Sequence, residues 1–190
     1  MSFQSLFHRP IALAMVLAFI LTTASVAETD TGKLYPSKDG VFSVLLSPQF
    51  FKRLSDGGQS VFNAVSTDGV LVLVFIKTAE QKIPLANIKR DFPKRAGPSW
   101  KILGSEDSTV GGKPAVFYRL SNLFPNPNGE WPQILKTKFG LPATSKYNTL
   151  MAIVPTSKGT YTFQVHHHQS LGDQGWQAAA GLFRQLVVWP

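Results

Sequence analysis

Three consecutive histidines, His166, His167 and His168, are the residues of this 190-residue chain whose type and spacing most directly suggest chemistry. They end a predicted β-strand, so His166 and His168 would share one face of it, about 7 Å apart, while His167 would face the other way. Two imidazoles at that spacing are suited to bind zinc or copper. A third ligand would come from a nearby side chain, with Gln164 on the same face and Asp173 further along the chain. A polar strand end near the surface is the simpler interpretation, so no cofactor is predicted, with zinc or copper at His166 and His168 as the alternative.

Sequence patterns that carry catalysis are missing from the chain. It has no cysteine, which excludes a thiol nucleophile, a Cys-ligated zinc site and a disulfide scaffold. It has no phosphate-binding glycine loop, no dinucleotide fingerprint, no HExxH zinc motif and no nucleophile elbow. Glu106 and Asp107 are adjacent, so on a strand they would face opposite ways and not form an acid–base pair. The sequence therefore predicts a protein that is not an enzyme, with a hydrolase of unrecognised type as an alternative.

A basic stretch between residues 77 and 101 carries seven lysines or arginines against two acidic residues. A helix is predicted within it, and Lys89, Arg90, Lys94 and Arg95 would surround its solvent side. Such a patch attracts anionic partners, either an acidic protein surface or an anionic envelope component such as lipid headgroups. Nucleic acid is not expected as a partner, because no nucleic-acid-binding motif accompanies the charges. A basic face that only aids solubility is the alternative.

Residues 123–146 are predicted to be a long loop that contains four prolines and the aromatic residues Phe124, Trp131 and Phe139. Loops of this length are uncommon within compact domains and are often functional. Aromatic side chains in a proline-stiffened loop suit the recognition of a protein partner. A flap that buries the same aromatic side chains on the sheet explains the composition equally well.

The first 27 residues have the layout of a secretory signal peptide. Arg9 precedes an uncharged stretch with an apolar core at 11–21, and residues 25–27 (Ser-Val-Ala) place small side chains at a cleavage site. The apolar core is shorter than the roughly 20 residues that span a bilayer, so any membrane contact is expected to be peripheral. An uncleaved anchor is the alternative. We therefore expect an exported protein, periplasmic or extracellular, whose mature part is 28–190.

The composition of the mature part indicates one folded domain of 163 residues. Residues 1–27 carry one of the 19 basic residues and none of the 11 acidic ones, so the mature net charge is +7. The whole chain is 44% hydrophobic and 16% charged, too apolar for a disordered protein. A domain of this size buries roughly two-thirds of its unfolded surface. Without cysteine, an exported domain must depend on that core rather than on disulfides.

Strands joined by short turns, together with two helices, would position these residues. Seven strands are predicted, at residues 41–46, 60–66, 70–76, 100–110, 113–122, 147–154 and 160–168. Two helices are predicted, at residues 83–96 and 172–188. Residues 28–38 are expected to be a loose lead-in, and Pro93 is expected to end or kink the first helix.

The pattern of these elements predicts the fold class. Hairpin connections make the sheet antiparallel, so the class is α+β with about six to seven strands. Residues 70–76 are apolar at every position, which requires cover on both faces of the sheet. In the strand at 113–122, an apolar set at 116, 118 and 120 alternates with a set formed by Ala115, Phe117 and Arg119.

Several segments carry a resemblance to a known family. Residues 35–36 (Tyr-Pro) and the strand at 39–44 (DGVFSV) are similar to the first strand of PsbP-like proteins. The glycine hairpin at 110–115 (VGGKPA), followed by 116–118 (VFY), is similar to a hairpin of that family. The ending at 183–188 (FRQLVV) resembles its last helix.

The resemblance implies an α/β/α sandwich of the kind found in photosystem II extrinsic proteins and in a Ran-binding import factor. It implies a binding and assembly role without enzyme activity, and it assigns no functional residue. Pro93, the long segment 123–146 and the Val188-Trp189 ending depart from the family pattern. The leading prediction is an exported, non-catalytic accessory protein that acts through a protein or envelope-surface interface. The alternative is a periplasmic metal-binding protein that uses His166 and His168. The sequence identifies neither the partner nor the oligomeric state.

Overall fold

The computed structural model describes residues 32–48, 51–53, 60–67, 71–96, 100–122 and 147–190. All of them belong to one unit, Gly32–Pro190. The predicted signal peptide at 1–27 and the predicted loop at 123–146, with Phe124, Trp131 and Phe139, lie outside the described residues, so both stay predictions.

The described residues form ten strands and two α-helices. In chain order these are β1 (Lys33–Pro36), β2 (Ser43–Leu46), β3 (Phe51–Arg53), β4 (Phe62–Ser66), β5 (Leu71–Ala79), α1 (Leu85–Arg95), β6 (Trp100–Val110), β7 (Lys113–Asn122), β8 (Tyr147–Thr156), β9 (Gly159–His168), α2 (Gly172–Gln185) and β10 (Val187–Val188). A short 3₁₀ turn, Gln169–Leu171, joins β9 to α2.

Seven strands form the main sheet, in the order β3-β4-β5-β9-β8-β7-β6, and β1-β2-β10 form a second, smaller sheet. Every pair of neighbouring strands is antiparallel. The predicted α+β class, with an antiparallel sheet of six to seven strands and helices on both sides, is confirmed.

One face of the main sheet is covered by α2 and by the small sheet. Phe163 on β9 is fully buried there, with its ring centroid 4.7 Å from that of Phe75 and 5.1 Å from that of Phe42, the residue before β2. Phe183 of α2 joins the same cluster through Phe117, at 5.4 Å between centroids. Each such side chain contributes about 1.5–3 kcal/mol through burial, so this aromatic cluster is the main anchor of the layer.

The opposite face carries a second core under α1. Ile88 is the buried residue of α1, and it packs with Tyr118 of β7 and Met151 of β8 among others. Phe92 adds a ring contact with Tyr118 at 4.4 Å between centroids. The predicted two-sided cover of the sheet is therefore present, with residues 72–75 of β5 buried as the apolar run requires.

Pro93 does not end α1, which continues to Arg95. A proline removes one backbone N–H and therefore one hydrogen bond of the helix. That bond belongs to the last turn, which is still closed by a hydrogen bond of 2.9 Å from the N–H of Ala96 to the carbonyl of Phe92. The sheet contacts of Ile88 and Phe92 hold the turn in place.

The second helix was predicted to run to residue 188 and instead ends at Gln185. Val187 and Val188 form β10 and pair with Val44 and Ser43 of β2. Two further strands were also missed, β1 within the expected lead-in and β3 within a predicted connection. All three are short strands whose stability comes from a partner strand, which local propensity does not reveal.

Candidate functional site

The four predicted cations Lys89, Arg90, Lys94 and Arg95 all lie exposed on α1, and we call them the α1 basic face. Their placement follows from the helical period, because Ile88 and its apolar neighbours turn towards the sheet and leave the charged positions outside. Lys94 and Arg95 occupy the last turn, where the helix dipole favours positive charge.

Two of these cations are paired with carboxylates. Lys89 Nζ lies 2.7 Å from Asp107 Oδ2, and Arg90 donates two hydrogen bonds of 2.8 Å to the carboxylate of Asp91. The Arg90 guanidinium holds the pKa of Asp91 below its ordinary value, and Lys94 and Arg95 add to this. Among the described residues, Lys82, Lys94, Arg95 and Lys101 form no ion pair. The surface around α1 therefore keeps an excess of positive charge.

His166 lies on the same side of the sheet as α1. Its Nδ1 is 2.8 Å from the hydroxyl oxygen of Thr149, which is directly opposite it on β8. Burial, together with the neighbouring His167, lowers the pKa of His166 to about 4. Its imidazole is therefore neutral at pH 7, which is the form that a metal ion would require.

His167 faces the other way, as the strand period predicts. Its ring is fully buried and meets Trp176 of α2 edge-on at 4.5 Å between centroids. Gly175 makes this packing possible, because a Cβ there would lie 2.2 Å from His167 Nδ1. The described residues, which do not include the side chain of His168, contain no group of three or more His, Cys, Asp or Glu that could hold a metal ion. The zinc or copper site stays a prediction.

A cleft of about 440 Å³ lies beside α2, on the face opposite α1. Its walls include Glu106 of β6, Arg119 of β7, and four residues of α2: Asp173, Trp176, Gln177 and Arg184. We call it the α2 cleft. The guanidinium of Arg119 lies 5.9 Å from the ring centroid of Trp176, within reach of a cation–π interaction.

Sequence reasoning did not find the α2 cleft, although one signal for it was present. The predicted alternation in β7 put Arg119 on the same face as Ala115 and Phe117, which are both buried. A charged residue on an otherwise apolar strand face marks a place where that face reaches solvent. The helix residues that complete the cleft come from about 60 positions further along the chain.

The arrangement of strands and layers is similar to that of known structures. The chain matches the solution structure of the cyanobacterial PsbP protein CyanoP from Synechocystis with a TM-score of 0.51 and 8% identity, over 90% of this chain and 99% of that chain. The fold is PsbP-like. The crystal structure of LpqN, involved in cell envelope biogenesis of Mycobacterium tuberculosis, matches with a TM-score of 0.48 and 14% identity, over 86% of this chain and 88% of that one. No protein-family model and no curated protein sequence matches the chain.

The PsbP-like sheet separates the two charged surfaces of this chain. Glu106 and Asp107 face opposite ways on β6, as predicted, with Glu106 in the α2 cleft and Asp107 paired to Lys89 of the α1 basic face. Within the described part of the chain, no helix is both long enough and apolar enough to cross a membrane.

Proposed function

We propose that the protein is an exported, non-catalytic accessory protein that docks on an anionic surface of the cell envelope through the α1 basic face. The observation that carries the proposal is the set of exposed cations around α1 that have no carboxylate partner among the described residues. A basic residue near an anionic membrane surface contributes about 1 kcal/mol to binding, so a few such side chains suffice for reversible attachment.

The shape of the surface fits docking better than it fits a closed binding pocket. Arg90 and Lys89 have side chains that are 62% and 46% exposed, so their charges reach the solvent although both have partners. Ion pairs this exposed are weak, and an anionic surface can compete for both cations. The proposed role therefore needs no rearrangement of the helix.

Co-sedimentation of the exported protein with lipid vesicles tests this role. We expect binding to vesicles that contain phosphatidylglycerol, no binding to pure phosphatidylcholine vesicles, and loss of binding as salt is raised, because salt screens exposed charges. The double variant Lys94→Gln with Arg95→Gln should weaken binding roughly tenfold or more.

The matched control removes the same charge elsewhere. Lys33 and Lys38 are exposed and lie in β1 and in the turn after it, on the side of the main sheet opposite α1, so Lys33→Gln with Lys38→Gln should leave binding within about twofold of the wild type. Equal losses in the two double variants would show that only net charge matters. That result, or binding that salt does not weaken, contradicts docking through the α1 basic face.

A further inference from the structure

The α2 cleft contains four charged side chains that form no ion pair with one another. Within the described residues, Glu106, Arg119, Asp173 and Arg184 have no opposite charge within 4.0 Å. They nevertheless line one cleft of about 440 Å³, which is within the size range of small-molecule sites. The cleft is thus balanced in charge.

The charges are ordered along the cleft. Arg119 lies against Trp176, and Asp173 is one helical turn before that tryptophan, so these residues mark one end. At the other end, Phe183 of α2 contacts Phe117 of β7, and Glu106 lies directly opposite Phe117 on β6. Arg184 follows Phe183 directly. Each end of the cleft therefore combines one cation with one carboxylate.

The helix dipole explains the positions of only two of the four charged residues in the α2 cleft. Asp173 in the first turn and Arg184 in the last turn of α2 suit the helix dipole. Glu106 and Arg119 lie on strands, where no such effect places them. Gly104, directly opposite Arg119 on β6, adds no side chain to this face, and a Cβ there would meet nothing within 4 Å.

One wall of the cleft is held rigidly. The indole of Trp176 is fixed by the buried ring of His167, which in turn packs closely against Gly175. A fixed aromatic surface beside an available guanidinium is a preorganised place for a carboxylate, because little side-chain entropy is lost on binding. Gln177, one residue further along α2, offers both a donor and an acceptor for a peptide group.

We propose that the α2 cleft binds a short zwitterionic peptide of two or three residues. Its terminal carboxylate contacts Arg119, its terminal ammonium contacts Glu106, and Gln177 bonds to a peptide group between them. Arg119 and Glu106 stand two strand positions apart, about 7 Å along the sheet. An extended peptide of two or three residues spans about 7–10 Å, enough to reach from one residue to the other, whereas Asp173 and Arg184, about 16 Å apart along α2, are too far apart for it.

Calorimetric titration of the exported protein with trialanine tests the proposal. N-acetyl-trialanine and trialanine amide are the matched ligands, because each lacks one terminal charge and keeps the peptide groups. We expect trialanine to bind and each capped peptide to bind at least about tenfold more weakly, since a hydrogen bond to a charged group is lost. Free alanine should also bind at least about tenfold more weakly, because it is too short to reach both residues.

Variants assign each end of the peptide to its residue. Glu106→Gln should weaken trialanine at least about tenfold without further weakening the acetylated peptide. Arg119→Gln should likewise weaken the binding of trialanine at least about tenfold, without further weakening the binding of trialanine amide.

Asp107→Asn is the matched control, because it changes the neighbouring carboxylate on the other face of β6. It should bind trialanine within about twofold of wild type. Thermal unfolding midpoints close to wild type will show that the variants are folded.

Three results would overturn the proposal. The first is the absence of any heat with trialanine at millimolar concentration. The second is equal affinity for trialanine and for the capped peptides or free alanine. The third is unchanged trialanine affinity in folded Glu106→Gln or Arg119→Gln. Docking on anionic vesicles through the α1 basic face is a separate property, and none of these results affects it.

Discussion

The two faces of the main sheet carry charge in two different ways. Around α1 the charges are mostly positive, exposed on the outer side of a helix, and partly neutralised by Asp91 and Asp107. Beside α2 both signs are present in equal number, and they point into a cleft. The first arrangement creates a long-range field without a shaped site, and the second creates a shaped site without a net field. Binding at the first should depend strongly on salt, and binding at the second on the fit of the ligand.

The largest expected effect is on stability, because the two faces differ in the size of their cores. Phe163 touches Phe42, Phe75, Phe183 and Trp189, so Phe163→Ala should lower the free energy of unfolding by about 3–5 kcal/mol. The matched change Phe92→Ala under α1 removes a half-buried ring that meets Tyr118, so it should lower the free energy of unfolding by only about 1–2 kcal/mol. Urea denaturation measures both. Equal losses in the two variants would contradict the view that the α2 face anchors the fold.

Two glycines of α2 allow the effect of packing on stability to be measured apart from the effect of helix propensity. Gly175→Ala should destabilise the protein by about 1–3 kcal/mol, because its Cβ would collide with the buried ring of His167. Gly181→Ala should stabilise it by up to about 1 kcal/mol, since a Cβ there meets nothing within 4 Å. The two unfolding midpoints should thus move in opposite directions. A shift of both in the same direction would show that the contact with His167 does not matter.

The hydrogen bond between Tyr161 and Asp39 should make the free energy of unfolding depend on pH. The Tyr161 hydroxyl donates to Asp39 Oδ2 at 2.7 Å. Partial burial raises the pKa of Asp39, but hydrogen bonds from Tyr161 and Ser37 outweigh it and hold that pKa below its ordinary value. Because the folded-state pKa is lowered, this stabilisation is present above about pH 4 and is lost as the pH falls further.

Tyr161→Phe tests this bond directly. We expect a loss of about 1–2 kcal/mol at pH 7 and a difference from wild type that shrinks as the pH falls below about 4 and Asp39 becomes protonated. Burial and the bond to Asp39 raise the pKa of Tyr161, so the wild type should also lose stability as the pH rises above about 10. Denaturation curves at several pH values measure both effects. A difference between the proteins that is constant with pH would contradict the assignment.

The smallest expected effect is at the ion pair between Lys89 and Asp107. Both side chains are largely exposed, at 46% and 70%, so Asp107→Asn should change the free energy of unfolding by no more than about 0.5 kcal/mol. Because the variant frees a cation of the α1 basic face, it should at the same time strengthen vesicle binding at low salt. Weaker vesicle binding would show that Asp107 is itself part of the contact.

The sequence predicted most accurately the features that depend on a few neighbouring residues, such as turns and the face on which a side chain lies. The β6–β7 hairpin has its predicted bounds because Gly111 and Gly112 supply the positive φ angles, +52° and +82°, that its tight turn requires. The alternation in β7 and in the histidine triplet predicted which residues share a face. The exposed cations of α1 follow from helical period alone. Their function, like that of the histidines and of the segment 123–146, stays a prediction.

By itself, the sequence determined the fold class and the position of charge along each element, because strand and helix periods act over a few neighbouring residues. Only the tertiary structure decided which distant elements meet. It paired β10 with β2, where the end of a helix had been predicted. It also brought Glu106 and Arg119 of the sheet beside Asp173 and Arg184 of α2. Such contacts depend on the packing of whole layers, in which the burial of residues such as Phe117 and Phe183 outweighs local preference.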